Sequence, residues 1–133
     1  MLTNFKKCIF AFLLVAVFAT AAPAYNLNFR LVNQTGMTMY RLYMNPSEFG
    51  KFDFDQDEIT GAFPMSSGHY TDISIRNPSR QHFSHWDMRI FFQDSNYISI
   101  YNVNLSKISQ LTVDDDGDVY DNFGNSYNIS INQ

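Results

Sequence analysis

Strand-favouring residues recur at every second position in short runs: Tyr25, Leu27, Phe29 and Leu31; Thr71, Ile73 and Ile75; Trp86, Met88, Ile90 and Phe92; Tyr127, Ile129 and Ile131. A backbone that sends alternate side chains to opposite faces is a β-strand, and polar residues between, such as Asn28, Arg30, Asp87 and Arg89, give each strand one wet face. Turn formers punctuate the runs at Asn33-Gln34-Thr35-Gly36, Asn45-Pro46-Ser47, Asn77-Pro78-Ser79, Asp94-Ser95-Asn96 and Asn122 to Asn125. Leu105, Ile108 and Leu111 have the spacing of a single helical turn, and no longer amphipathic helix is visible. The pattern predicts an all-β fold, a single antiparallel β-sandwich of about seven short strands. Within it, 25–31 and 37–44 are expected to pair as a hairpin.

The same alternation assigns faces. Trp86, Met88, Ile90 and Phe92 are predicted to face the core, with Asp87, Arg89 and Gln93 outward, because a one-residue slip would bury the charges. In Tyr97-Ile98-Ser99-Ile100-Tyr101 the isoleucines should take the interior, leaving Tyr97 and Tyr101 on the outer face. Taken as alternate strand residues about 7 Å apart, they would make a small aromatic platform for a glycan or a partner's apolar residue.

The N-terminus reads as an address. Lys6 and Lys7 precede an apolar run from Cys8 to Ala19 and the small-residue stretch Thr20-Ala21-Ala22-Pro23-Ala24, the layout of a secretory signal peptide cut after Ala24. The run is about a dozen residues, short of the roughly 20 that cross a bilayer. The expectation is residues 1–24 as a signal peptide, 25–133 as one domain, no membrane span after cleavage, and a periplasmic or secreted location. Cleavage removes Cys8, the one cysteine, so packing of the 13 Phe and 8 Tyr, or a bound ion, must replace disulfides. The chain carries 9 Lys plus Arg against 13 Asp plus Glu, without a basic cluster beyond Lys6-Lys7, which excludes a nucleic-acid partner.

Two acidic stretches are candidate cation sites, with calcium the cation that carboxylate oxygens suit. Asp53, Asp55 and Asp57 have the one-three-five spacing of a calcium loop, but Glu58 stands where a sharp turn wants Gly and Pro64 where a bidentate Glu belongs. This is no EF-hand, and the competing account is a solvated acidic loop. Asp114, Asp115, Asp116 and Asp118 surround Gly117 between two strand-like runs. A hairpin turn explains Asp and Gly there, yet no turn requires four carboxylates, and a divalent cation would relieve their repulsion. His69, His82, His85 and the methionines raise copper, but alternation puts Met88 in the core, where methionine is an ordinary filler. Without a cysteine in 25–133, a Gly-x-Ser-x-Gly elbow or a glycine-rich phosphate loop, the sequence offers no catalytic constellation.

Three stretches together resemble a family of small exported bacterial proteins of unassigned activity. They are Asn33-Gln34-Thr35-Gly36 followed by Leu42 to Ser47 with its Pro46-Ser47; Asp87-Met88-Arg89-Ile90-Phe91-Phe92-Gln93-Asp94; and Val103-Asn104-Leu105 running to Leu111-Thr112-Val113. Where that family often carries Trp-Gly after Pro-Ser and Cys after Asn-Leu, this chain has Phe49-Gly50 and Ser106. The resemblance implies export and a β-sandwich and assigns no catalytic residue. The expected function is an exported, non-catalytic binding or interaction module for a protein or glycan partner. The alternative is a calcium-dependent module holding its cation at 53–58, at 114–118, or at both.

Overall fold

The computed structural model describes residues 25–54, 57–93 and 95–132, so the expected signal peptide lies outside them. They form nine strands: β1 (Asn28–Asn33), β2 (Met39–Pro46), β3 (Glu58–Ile59), β4 (Tyr70–Ser74), β5 (His85–Phe92), β6 (Tyr97–Asn104), β7 (Gln110–Val113), β8 (Val119–Asp121) and β9 (Ile129–Asn132). Two sheets result, of order β4-β1-β7-β8 and β3-β2-β5-β6-β9. The expected all-β class holds, with nine strands where about seven were expected; the extra ones are short pieces such as β3 and β8.

Three expectations need correction. The sheets are not uniformly antiparallel, because β1 runs parallel to β7, pairing Leu31 with Leu111 and Val32 with Thr112. Nor do β1 and β2 form a hairpin, because they belong to different sheets. Both edges of β1 are taken, by β4 on one side and β7 on the other, so the following strand has no edge to join. Asn33, fully buried, turns the chain: its Nδ2 donates to the carbonyls of Met37 (2.9 Å) and Met65 (3.0 Å) while its Oδ1 accepts from the Thr35 amide and hydroxyl. That bonding satisfies a buried amide completely, as burial demands. The predicted helical turn at Leu105 is a plain turn leading into β7, with the Asn104 Oδ1 accepting from the Ser106 amide and hydroxyl.

The face assignments hold. Trp86, Met88, Ile90 and Phe92 are buried, while Asp87 and Arg89 are half-buried on the other face and Gln93 is exposed. Phe29, Leu31, Ile73, Leu111, Val113 and Val119 from the four-stranded sheet, with Leu27 just before β1, join Leu42, Met44, Met88, Ile90, Ile98 and Ile100 from the five-stranded sheet in one buried cluster. Each such side chain contributes about 1.5–3 kcal/mol on burial. The single tryptophan, Trp86, donates its indole N–H to the Phe83 carbonyl at 2.9 Å, so even the largest core residue leaves no donor unsatisfied. Among the described residues no helix is long and apolar enough to cross a membrane.

Candidate cation site

The β7–β8 connection is set by the strands it joins. Val113 pairs with Val119 and Thr112 with Tyr120 in antiparallel register, and the burial of Leu111, Val113 and Val119 fixes both strands to the core, leaving Asp114 to Asp118 as the turn. The Asp114 amide donates to the Asp118 carbonyl at 3.0 Å and the Gly117 amide to the Asp114 carbonyl at 3.1 Å. Gly117 has φ +80°, a left-handed conformation that a side chain would strain. Asp114 Oδ1 accepts from the amides of Asp116 (3.0 Å) and Asp118 (2.9 Å), which curls the turn around one carboxylate.

That curl gathers Asp114, Asp116 and Asp118 so that one carboxylate oxygen from each lies within 4.8 Å of the others, with Asp114 half-buried and the other two exposed. Calcium–oxygen bonds run about 2.3–2.6 Å, so two oxygens on one calcium sit at most about 5 Å apart. The cluster meets that limit, and its three hard anionic donors can chelate a cation, with water completing the shell. Unneutralised, each carboxylate pair at this separation repels by about 1 kcal/mol in water, tolerable at an exposed turn and removed by a divalent ion. Asp115 is outside the cluster, and with Asp114 and Asp116 it lines an adjoining cleft.

The other acidic stretch is arranged differently. Asp57 is buried and receives Arg80 Nη1 at 2.6 Å on Oδ1 and the Asp53 amide at 2.6 Å on Oδ2, so a guanidinium already neutralises it. Asp53 is exposed, and Asp55 lies outside the described residues. The role of Asp57 could not be read from alternate-carboxylate spacing, because its partner is 23 residues away in sequence.

Tyr97 and Tyr101 both sit on the face opposite buried Ile98 and Ile100. They are four positions apart with buried Ser99 between, so about 13 Å of strand separates them, and the expected spacing of alternate residues is corrected accordingly. Tyr97 is half-buried, its ring 5.0 Å from Phe91 and 4.3 Å from the Arg89 guanidinium carbon; Tyr101 is 40% exposed, with its hydroxyl 3.2 Å from Ser130 Oγ.

Sequence reading missed a cleft of about 270 Å³ where the two sheets part beside the acidic turn. Met37, Phe92, Ile98, Val113 and Ile131 give it apolar walls, and Asp114, Asp115 and Asp116 form its rim. These residues come from five separate parts of the chain, and the one local signal was Ile131, an apolar residue in a terminal run with too little sheet to cover it. Comparison with known protein families, characterised proteins and solved structures finds no match for this chain.

Proposed function

We propose that this chain is an exported β-sandwich module that works by binding rather than catalysis and holds a divalent cation, calcium by ligand chemistry, on the β7–β8 turn. The observation that carries the reading is the convergence of Asp114, Asp116 and Asp118 oxygens within 4.8 Å, at the exposed tip of two strands anchored in the core. Rigid anchoring matters because a preformed site binds without the entropy cost of gathering its ligands. The shared burial cluster of both sheets supports the sandwich, and the Lys6-Lys7, apolar run and Ala22-Pro23-Ala24 sequence supports export and cleavage. The likeness to small exported bacterial proteins fits the same reading: of the residues that carry it, Asn33 and Asn104 tie down turns and Asp87 holds Ser47 at the end of β2.

Thermal unfolding of the purified protein with 1–2 mM calcium and with chelator tests the cation. A ligand bound by the native state alone, at a Kd about ten-fold below its concentration, adds about 1.4 kcal/mol, or roughly 5 °C in Tm for a domain of this size. Asp116→Asn with Asp118→Asn should abolish that shift while keeping the Asp114 bonds that shape the turn. Identical melting curves with calcium and with chelator refute the cation reading.

A further inference from the structure

Edge strands expose unpaired backbone groups, and proteins guard them with short length, charge, proline or bulges. Among the described residues, three of the four sheet edges are guarded in this way. β3 has two residues and one is Glu58, β8 has three and ends in Asp121, and β4 carries Asp72, ion-paired to Arg30 at 2.9 Å. The fourth edge is β9, Ile129-Ser130-Ile131-Asn132, which has no charge or proline and among the described residues pairs with β6 alone. Ile131 pairs across to Ile98 on the core-facing side, yet it is 55% exposed, because it lines the cleft rather than the core. Met37, 48% exposed, lines the same cleft.

We propose that β9 and this cleft form a docking site for an extended peptide segment whose cleft-facing side chains, every second residue, are apolar and basic in turn. The open edge offers main-chain hydrogen bonds in the manner of strand addition, and the cleft beside Ile131 faces every second side chain of the added strand, with apolar walls for one and the carboxylate rim for the next. Charge decides between partners. Asp114, Asp115 and Asp116 rim the cleft and among the described residues no Lys or Arg lines it, so a Lys or Arg on the incoming segment meets carboxylates, whereas an acidic segment is repelled. The cleft volume of about 270 Å³ admits an aliphatic side chain together with part of a basic one, and is too small for a folded element. Asp114 and Asp116 belong to both the rim and the cation cluster, whereas Asp115 belongs to the rim alone, so chelator and an Asp115 variant separate this inference from the cation reading.

The test uses fluorescence anisotropy of a labelled eight-residue Val-Lys peptide of repeat Val-Ser-Lys-Ser, which sets Val and Lys on one face, titrated with the full chain in low salt with chelator present. The Val-Lys peptide should bind, and added salt should weaken it. A Val-Glu peptide and an alternately N-methylated Val-Lys peptide should each bind at least about ten-fold more weakly, the first for want of charge complementarity and the second for want of strand hydrogen bonds. Asp115→Asn should weaken binding about three-fold while leaving any calcium-induced Tm shift intact, and Ile131→Asn should weaken it further with Tm unchanged. Equal binding of the Lys and Glu peptides, or parent-like binding by both variants, would overturn the proposal. So would a concentration-dependent dimer of the parent that Ile131→Asn dissolves, since that result assigns the edge to a second copy of the chain.

Discussion

Asp121 is 5% exposed and accepts from the Tyr127 hydroxyl at 2.5 Å, the Phe123 amide at 2.8 Å and the Asn125 amide at 3.1 Å. Burial works to raise its pKa, but the bonds from Tyr127, Phe123 and Asn125 together outweigh it and hold the carboxyl below the ordinary value of 3.8. A folded pKa below the unfolded one means stability that is complete above pH 3.8 and is lost as pH falls through the lowered folded value. Tyr127 has the opposite sign: burial and then the Asp121 bond push its phenol up from 10.0, so its contribution is complete below pH 10 and is lost as pH rises beyond. Asp121→Asn should therefore narrow the Tm difference between pH 6 and pH 3, and Asp121→Ala should cost about 1–2 kcal/mol at pH 6 in denaturant melts, by removing the acceptor that half-buried Tyr127 and the two turn amides share. An undiminished pH difference in Asp121→Asn would mean that the acid lability lies elsewhere. The sequence marks 122–125 as a turn but hides the residue that organises it, because the bond to Tyr127 exists only once the chain has doubled back.

Between elements, Arg89 on β5 ties a loop to the outer face of the five-stranded sheet. Its Nε donates to Ser99 Oγ at 2.9 Å, and its guanidinium carbon lies 4.3 Å from the Tyr97 ring centroid, 4.9 Å from Phe52 and 5.8 Å from Phe54. The Tyr43 ring meets Phe54 edge-on at 5.0 Å, so the loop is held by aromatic as well as cationic contact. Arg89→Ala should cost about 1–2 kcal/mol and speed amide exchange and proteolysis at 51–54 more than in β5 itself. Arg89→Lys should recover only part of this, since an ammonium lacks the flat face that lies against several rings. Unaltered exchange at 51–54 in Arg89→Ala would release Arg89 from this role. Alternation alone put Arg89 on the wet face, and that much was legible from Met88 and Ile90 beside it. The aromatic cover was not, because Phe52 and Phe54 sit in a stretch without period whose place is decided by Tyr43 and Arg89.

For the whole molecule, local pattern carried the strands and their inward faces, as the buried series Trp86 to Phe92 illustrates. It did not carry the pairing, since the edge that β1 offers depends on strands far along the chain. The acidic turn at 114–118 was legible because Asp and Gly were adjacent, whereas the cleft beside it needed both sheets in place. The pairing of β1 with β7 and the interleaving of the two sheets make long-range contacts dominant. Refolding followed by Trp86 fluorescence should accordingly take milliseconds to seconds, as in other folds rich in non-local pairs, and a microsecond phase that recovers the full signal would contradict this. The position of β1 also bears on synthesis. A chain that emerges from its N-terminus delivers β1 first, but Leu31 meets Thr71 and Leu111 only roughly 40 and 80 residues later. At about 5–20 residues per second, β1 waits several seconds or longer with both edges and Phe29 and Leu31 uncovered, an interval in which a chaperone has something to hold.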